Sequence, residues 1–489
     1  MEDPGLPEGF RDAAHLATAL TRVGGTEPVH VWTVTERAVQ VDDEDVDPVR
    51  ATVLGPALVV AQENPHVTSR VLDVDPARLA DPRAAAVTIL GECLAVTPDD
   101  ASIVAWRGRR RWVPTYEPAA VPTAPSRLRA DGVYLVTGGL GRIGRVLTDH
   151  LRGLGARVVV TTRGEVPEDV ADGVTVLRCD PAREGDLGDA LAETLARHGR
   201  LDGVFHAAGL ADLTYLGDLD DDLLRAELAP KVLGLRRLDA AVAGLATQGR
   251  APEFVVLFSS IAGTLGGLAM AAYMAANRCL DTFAQADPRR HGVDWVCIAF
   301  DDWDFEYGKE QTAAYAATGA DRFAMSTQEG LALLDRLVAM PEPTPLLVST
   351  RPLEPRLERW VRQSVEADEA GTGAGVGAGA GESGGSGDDS ITRLLAIYEQ
   401  VLGVSGIGPD DDFFALGGDS LLAAQTLARL RTGLGITGGV QLQDVFTHPT
   451  PARLAAHLDG LGDGGDPDET PDPVDAELPA TEEAALADA

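Results

Sequence analysis

Short runs of apolar and β-branched residues alternate with longer amphipathic stretches between Asp131 and about Val361. The short runs are GVYLVTG, ARVVVTTR, VTVLRCD, DGVFHAAG, EFVVLFSS and DWVCIAF. Strands that alternate with helices in this way are typical of a parallel sheet flanked by helices. The pattern therefore predicts an α/β domain over residues 131–362.

A weaker version of this alternation precedes the α/β domain, in the segments PVHVWTVT, ATVLGPALVVAQ and ASIVAWRG. We interpret residues 1–130 as a smaller α/β companion without chemistry of its own. Near its end, the Pro-rich segment PTYEPAAVPTAPSRL follows Trp112 and precedes the strand-like run GVYLVTGG.

The rest of the chain contains a Gly-rich segment, a helical pattern and an acidic end. Residues 363–388 have too few apolar side chains to bury a core, so this segment predicts a flexible linker. About 20 residues of such a chain span on the order of 25 Å. Residues 389–460 contain three helical stretches typical of a small bundle, the third of which is VFTHPTPARLAAHLDG. Residues 461–489 lack Lys and Arg and predict a disordered tail, in which ELPATEEAALADA is compatible with one short helix.

The composition changes this picture mainly by exclusion. A chain of 489 residues exceeds one ordinary core, which predicts two or three domains. The net charge of −35 argues against nucleic acid and anionic membranes as partners and favours basic protein surfaces. An acidic N-terminus and the lack of any 18-residue apolar window predict a soluble, cytoplasmic protein. Without CxxC spacing, the cysteines predict neither disulfides nor a metal site: Cys93, Cys179, Cys279 and Cys297.

The segment TGGLGRIG follows a predicted strand and opens a helical pattern, which is the context that a dinucleotide-binding fingerprint requires. Gly139 permits the tight turn, Gly141 lets the backbone approach a pyrophosphate, and Gly144 lets the helix pack on the strand. The same spacing also occurs in purely structural turns, but the flanking elements favour a nucleotide site. The candidate cofactor contacts in this segment are Thr137, Gly138, Gly139, Leu140, Gly141, Ile143 and Gly144.

Further positions extend the candidate cofactor site. The second strand ends in Thr162 and Arg163, where an NAD site normally offers an acidic residue, so a cation favours the 2′-phosphate of NADPH. A surface Arg after a strand is also common. Asp180 follows the third strand and is placed to meet the adenine amino group. The segment HAAG offers small residues beside the cofactor, or only tight packing: Ala207, Ala208 and Gly209.

The candidate reducing centre lies in FSSIAGTLGGLAMAAYMAAN, which supplies Ser260, Tyr273 and Asn277. Hydride delivery to a ketone requires a proton donor at the developing alkoxide, a hydroxyl that holds the carbonyl oxygen, and a nearby cation. Ser260 ends a strand and Tyr273 begins a helix, so both lie at the carboxyl edge of the sheet, where open α/β sheets bind ligands. Taken alone, Ser260 is equally compatible with a helix cap, and Tyr273 with a core aromatic residue.

Residues 25–360 resemble the short-chain dehydrogenase/reductase superfamily, and within it the ketoreductase domains of modular polyketide synthases. In the superfamily a Lys follows four residues after the Tyr, but this chain has Asn277 there and Lys231 earlier, in APKVLGLRRL. Polyketide ketoreductases show this exchange. The resemblance implies that Tyr273 donates the proton and that Ser260 holds the carbonyl oxygen. It also implies that Lys231 and Asn277 order the ribose and the proton relay.

Some family features are missing or altered in this chain. B-type ketoreductases carry LDD soon after HAAG, whereas this chain has Leu210, Ala211, Asp212 and Leu213. A-type enzymes carry a Trp eight residues before the Tyr, where this chain has Leu265. The region before residue 131 resembles the family's structural subdomain, a truncated pseudo-nucleotide fold, shortened at its N-terminal end. The segment FDDWDF, with Trp303, and the residues up to about Met325 resemble the lid over the acyl substrate.

The helical segment after the linker resembles acyl and peptidyl carrier proteins, with Ser420 of LGGDSL at the start of its second helix. A Ser hydroxyl at an exposed helix N-terminus next to Asp419 is also compatible with a plain helix cap. The flanking FFALGG and VFTHPTPARLA favour the carrier, and the resemblance implies 4′-phosphopantetheine attached to Ser420 by a phosphopantetheinyl transferase. The doubled glycine, Gly417 and Gly418, is more similar to peptidyl carriers, which favours a mixed polyketide and nonribosomal peptide pathway.

These features together predict reduction of a β-ketoacyl thioester on the carrier to the β-hydroxyacyl thioester, with NADPH as cofactor. The expected partners are the acyl thioester and other polyketide synthase or nonribosomal peptide synthetase proteins. Two alternatives stay open at this point. In one, the reductase half is an inactive docking scaffold for the carrier; in the other, the substrate is an α-ketoacyl group on a peptidyl-type carrier.

Overall fold

A computed structural model provides the coordinates of the chain. It describes residues 6–23, 27–64, 66–94, 101–121, 125–166, 173–211, 213–305, 324–340, 345–362, 387–402, 404, 406–414, 416, 422–423, 426–427, 429–430 and 442–462. The predictions for Ser420 and its neighbours 417–419, for Asp212, and for most of the linker and most of the acidic tail concern residues outside this set.

The N-terminal companion is a small α/β subdomain, as its pattern predicted. Its sheet has the order β1-β2-β3-β4, parallel except for the last pair. The strands are β1 (Val29–Thr35), β2 (Val67–Val74), β3 (Ile103–Arg107) and β4 (Arg110–Trp112). The helices are α1 (Glu8–Val23), α2 (Leu54–Glu63), α3 (Pro76–Leu79) and α4 (Pro82–Leu94).

The segment ATVLGPALVVAQ forms a short 3-10 turn, Arg50–Val53, that runs directly into α2. It is apolar on almost every side because α2 is buried between its own sheet and a helix of the next subdomain. This helix is the first of the structural links between the two halves of the α/β region.

The second subdomain contains a seven-stranded parallel sheet of order β13-β10-β9-β8-β5-β6-β7. All six strands predicted from the apolar runs are present, which confirms the α/β fold. They are β5 (Val133–Thr137), β6 (Arg157–Thr162), β7 (Val174–Arg178), β8 (Gly203–His206), β9 (Phe254–Ser260) and β10 (Asp294–Phe300). The edge strand β13 is Leu346–Leu347, and a separate ladder joins β11 (Trp303–Asp304) to β12 (Met325–Ser326).

Helices cover both faces of this sheet. They are α5 (Arg142–Gly153), α6 (Asp186–His198), α7 (Asp221–Thr247), α8 (Ala262–Leu265), α9 (Ala271–Ala286), α10 (Thr327–Leu337) and α11 (Leu353–Leu357). The strand order reverses between β5 and β8, where Thr137 and His206 are register partners at the carboxyl ends. Ligands of open α/β sheets bind in the crevice outside such a reversal.

The side chains of the central strands alternate between two apolar clusters, one on each face of the sheet. On one face, the rings of Tyr134, Phe205 and Phe254 pack with centroids 5.7 to 6.2 Å apart. Aromatic pairs at these separations stabilise a core beyond their buried area. The sheet that carries the site is therefore covered by a packed apolar core on both faces.

Helix α2 packs directly on α9 through Gly55. A Cβ at Gly55 would lie 2.2 Å from the carbonyl oxygen of Ala271 and 2.8 Å from the Cβ of Ala275. The two helix backbones approach so closely that only glycine fits at this crossing. The position of α9 is thus set by the N-terminal subdomain as well as by its own sheet.

The C-terminal region is a small helical bundle, as predicted, with α12 (Gly387–Leu402), α13 (Leu442–Thr447) and α14 (Pro451–Gly462). The described residues between 422 and 430 are also helical. The segment expected to form a single third helix is divided into α13 and α14, because Pro449 and Pro451 lack the N–H groups that a continuous helix requires. Tyr398 and Phe413 pack edge to face at 4.9 Å in the core of the bundle.

Replacing Gly55 by Ala tests the crossing of α2 and α9. We expect Gly55→Ala to destabilise the protein by about 1–3 kcal/mol, because the new methyl group overlaps backbone that cannot move freely. Gly91→Ala in α4 is the matched control, since a Cβ there meets nothing within 4 Å and Ala favours a helix. Thermal unfolding should show a lower Tm for Gly55→Ala only; an unchanged Tm would contradict the close contact.

Candidate active site and carrier domain

The turn between β5 and α5 contains the glycine fingerprint. Gly141 caps α5, and a Cβ at Gly144 would lie 2.2 Å from the carbonyl oxygen of Gly138, so the first turn of the helix rests on the loop. The other predicted contacts of this segment line the same turn, with Thr137 buried and Leu140 and Ile143 partly buried. A helix N-terminus over a glycine turn at the strand reversal fits a dinucleotide pyrophosphate.

His206 joins this turn to the following loop and to α7. Its Nε2 lies 3.1 Å from the carbonyl oxygen of Pro230, which only accepts, so Nε2 carries the proton. Its Nδ1 therefore accepts from the hydroxyl of Thr137 at 2.8 Å, and that hydroxyl oxygen accepts from the N–H of Ala208 at 3.3 Å. Burial lowers the pKa of His206 to about 4, which keeps the ring neutral. Sequence reasoning missed this role, although His206 was visible in HAAG.

The small residues after His206 lie between the nucleotide turn and Lys231. Ala208 is buried, and Ala207 is partly buried. A Cβ at Gly209 would lie 2.8 Å from the Cε of Lys231. The segment HAAG therefore packs tightly and borders the candidate reducing centre, and its contact with the cofactor stays a prediction.

The ends of β6 and β7 place the remaining predicted cofactor contacts. Arg163 is exposed directly after β6, and the Oγ1 of Thr162 accepts from the N–H of Gly164 at 3.2 Å. Asp180 is partly buried, and its Oδ1 accepts from the N–H of Ala182 at 2.9 Å. One carboxylate oxygen of Asp180 thus holds a local turn in addition to any contact with adenine. The exposed guanidinium at the edge of the crevice fits a phosphate group.

Lys231, Tyr273 and Asn277 come together at the start of α9. The Nζ of Lys231 donates to the Oδ1 of Asn277 at 2.6 Å and to the carbonyl oxygen of Phe258 at 2.9 Å. The Nδ2 of Asn277 donates to the carbonyl oxygen of Tyr273 at 2.8 Å, and Nζ lies 5.2 Å from the centroid of the Tyr273 ring. A chain of polar contacts therefore connects α7, β9 and α9.

Ser260 completes the group from the end of β9. Its Oγ accepts from the N–H of Ala262 at 3.2 Å, and its hydroxyl lies near that of Tyr273. Burial raises the pKa of the Tyr273 hydroxyl above its usual value, and the nearby Ser260 hydroxyl offsets part of that rise. A phenol that retains its proton at neutral pH is suited to act as a proton donor.

Lys231 is a buried cation beside the phenol. Burial lowers its pKa to about 8, and the nearby Asp281 and Cys297 oppose the change. Asp281 follows Asn277 by four residues, one helical turn, so it lies on the same face of α9. Asp281 was not among the predicted site residues, although its helical spacing from Asn277 is a signal for this position.

The structure places two residues that the comparison with the family singled out, Leu265 and Trp303. Leu265 is buried with Ile261 and Leu357 in a small apolar cluster. Trp303 is buried against Phe300, with ring centroids 5.2 Å apart, and its strand β11 pairs with β12. The β11–β12 ladder thus closes the base of the predicted lid, and the lid residues 306–323 lie outside the described set.

The carrier segment before Ser420 is fixed to the bundle, although Ser420 itself lies outside the described residues. The N–H of Phe413 donates to the carbonyl oxygen of Pro449 at 2.9 Å, and Leu416 donates to the carbonyl oxygen of Asp412 at 3.1 Å. Within the described ranges, no helix is long and apolar enough to cross a membrane, and no three acidic, His or Cys side chains are grouped to hold a metal ion.

Comparison with known proteins matches two separate regions of the chain. Residues 132–304 match the KR domain family, and residues 392–458 match the phosphopantetheine attachment site family. The Spectinabilin polyketide synthase system protein NorA' of Streptomyces orinoci is 33% identical over 86% of this chain. The chain contains a KR domain and a phosphopantetheine attachment domain, and it is similar to proteins of polyketide synthase systems. The domain boundaries and the individual site residues given in the sequence analysis stay predictions.

Other comparisons cover the same regions. The protein NorA of the same system and organism is 30% identical over 94% of this chain. The chain spans only 12% of the length of NorA' and 26% of that of NorA. The solved structure of A-type ketoreductases from a modular polyketide synthase is 28% identical, with a TM-score of 0.59 over 73% of this chain and 76% of that one. The ketoreductase domain is thus similar in both sequence and fold to solved members.

The lowered pKa of Lys231 predicts how reduction depends on pH. Below about pH 8 the ammonium is charged, and above it the charge beside Tyr273 is lost, so kcat/KM for the acyl substrate should fall as pH rises through 8. Rates measured across this range with saturating cofactor check the expectation. A profile that is flat up to the ordinary lysine value of 10.5, or the same fall in Lys231→Met, would contradict it.

Proposed function

We propose that the chain reduces the β-keto group of an acyl thioester, carried on 4′-phosphopantetheine at Ser420, to the β-hydroxyacyl thioester. The observation that carries the proposal is the assembly of Lys231, Ser260, Tyr273 and Asn277 at the carboxyl edge of the sheet. These residue types in contact at this edge supply a proton donor, a carbonyl-binding hydroxyl and a cation.

The residues divide the work of reduction between them. Ser260 orients the carbonyl oxygen, and Tyr273 donates its proton to the oxygen as negative charge develops there. Lys231 stabilises the phenolate that remains, and Asn277 fixes the ammonium through its 2.6 Å hydrogen bond. The nicotinamide cofactor supplies the hydride when it is bound.

We infer that the cofactor is NADPH. The glycine turn at the N-terminus of α5 fits a pyrophosphate, and the exposed Arg163 after β6 stands where a 2′-phosphate reaches in this kind of fold. Thr137, Ala207 and Ala208 border the same crevice. Asp180 has one carboxylate oxygen beyond the Ala182 contact for the adenine amino group.

The carrier is proposed to deliver its substrate to the ketoreductase of the same chain. The predicted linker is long enough, with a span on the order of 25 Å. Leu268, in the loop before α9, is buried in the apolar cluster that contains Leu394 and Tyr398 of the carrier, with Tyr215 packed against it. The carrier thus contacts the ketoreductase close to Tyr273. A phosphopantetheinyl transferase and other assembly-line proteins in the cytoplasm are the proposed partners.

The doubled glycine before Ser420 favours one second candidate, an α-ketoacyl group on a peptidyl-type carrier. The chemistry at Tyr273 is the same for both carbonyl positions. Parallel assays with α-keto and β-keto thioesters separate them, and we expect the higher kcat/KM with the β-keto substrate.

Replacing Tyr273 by Phe tests the proposed proton donor. NADPH oxidation with a soluble β-ketoacyl thioester should fall about 10²- to 10⁴-fold, because hydride transfer then lacks its general acid. Cofactor binding, followed by NADPH fluorescence, should be unchanged.

The matched control is Tyr398→Phe, which removes a buried hydroxyl in the carrier that has no hydrogen-bond partner among the described residues. It should reduce the soluble substrate at the wild-type rate. Full activity in Tyr273→Phe would contradict the assignment. A wild-type protein that binds NADPH but reduces no thioester of any length would instead support the docking scaffold.

A further inference from the structure

The loop between α8 and α9 holds an unfavourable backbone conformation next to the catalytic tyrosine. Ala269 has a φ of 60°, in the left-handed region that non-glycine residues rarely adopt. Two residues later α9 begins, and Tyr273 is in its first turn. Such strain persists only where surrounding groups over-determine it, and it concentrates at functional sites.

Glu63, the last residue of α2, holds this loop from the other subdomain. Its Oε1 accepts from the N–H of Ala269, and its Oε2 accepts from the N–H of Leu216, both at 2.8 Å. The carbonyl oxygen of Ala269 accepts from the N–H of Thr214 at 3.1 Å. One carboxylate therefore ties together the loop before Tyr273 and the segment 214–216.

Gln62 contacts the same loop with both ends of its amide. Its Oε1 accepts from the N–H of Gly267 at 2.7 Å, and its Nε2 donates to the carbonyl oxygens of Leu265 and Trp360, both at 2.8 Å. The last turn of α2 therefore presents two adjacent side chains whose polar atoms all meet backbone groups of the loop and its neighbours.

A carboxyl group at this buried position is unfavourable for stability alone. Glu63 is only 3% exposed, and burial raises its pKa to about 8, with Asp218 adding to the rise and the two backbone N–H groups offsetting part of it. Tyr215, which is partly buried, is the other titratable group that faces it. An apolar side chain would avoid the desolvation, but it would leave two buried N–H groups without acceptors.

We propose that Glu63 and Gln62 are positioning residues for ketone reduction. They hold the loop 265–270 and the segment 214–216 in the conformation that sets the hydroxyl of Tyr273 and the approach of the substrate. This inference rests on the proposed ketoreductase function and gives the N-terminal subdomain a direct role in it. Neither residue contacts the reacting atoms; both act through the backbone at the start of α9.

The principal test is Glu63→Gln, which keeps the shape of the side chain but turns one acceptor into a donor. One of the two backbone N–H groups then loses its partner. We expect kcat to fall about 10- to 100-fold, because misplacing catalytic groups by about 1 Å costs this much, while KM for NADPH stays within about twofold. Hydrogen–deuterium exchange of peptides covering 265–270 and 213–217 should accelerate.

Asn64→Ala is the matched control at the same end of α2. Asn64 is only 1% exposed, and its Nδ2 donates to the Oγ1 of Thr21 and the carbonyl oxygen of Val60, away from the loop. This variant should lose stability while it keeps the wild-type kcat and the wild-type exchange of both peptides. Gln62→Met provides a second variant if Glu63→Gln does not fold, and it should lower kcat in the same way.

The outcomes separate this inference from the proposed function. Wild-type kcat and wild-type exchange in both Glu63→Gln and Gln62→Met would overturn the inference, even where the wild type reduces thioesters. The inference would also be overturned if Asn64→Ala lost as much kcat as Glu63→Gln at the same loss of stability. If the wild type reduces nothing, the proposed function fails, and the exchange of the two peptides still decides whether Glu63 holds the loop.

Discussion

The contact between α2 and α9 is the constraint on which the site depends. At one end, Gly55 lets the two backbones approach to a separation that admits no side chain. At the other end, the last turn of α2 holds the loop that leads into α9. Tyr273 and Asn277 lie on α9, whereas Ser260 lies on β9 and Lys231 lies on α7. The crossing with α2 therefore helps to set the position of α9 relative to β9 and α7. The N-terminal subdomain, expected to carry no chemistry, is therefore structurally inseparable from the site.

Burial organises the electrostatics around this crossing. His206 stays neutral and serves as a hydrogen-bonding link between the nucleotide turn and α7. Burial lowers the pKa of Lys231 to about 8, so it remains a cation near neutral pH, and the nearby Cys297 and Asp281 oppose the lowering. Its ammonium donates to Asn277 and to the carbonyl oxygen of Phe258. Tyr273 keeps its proton because burial raises its pKa. A neutral donor beside a cation is the arrangement that reduction of a carbonyl requires.

Local patterns predicted the features that local chemistry determines. The six central strands followed from β-branched runs, and the turn at Gly144 followed from its spacing after a strand. The roles given to Lys231 and Asn277 came from the family resemblance, since 46 residues separate the two. The contact of Glu63 with Ala269 spans 206 residues, so no local pattern reports it. The prediction of one helix across Pro451 was wrong, although Pro449 and Pro451 are the local signal for a break.

In the proposed function, a ketone tethered to this chain is reduced by the same chain. Intact mass spectrometry of protein loaded at Ser420 with a β-ketoacyl phosphopantetheine, followed over time after NADPH is added, tests it most directly. Ser420→Ala, which takes up no arm, provides the mass reference. We expect a gain of two hydrogens at a rate that does not change when the protein is diluted. A loaded chain that keeps its mass, while it reduces a free β-ketoacyl thioester, would contradict it.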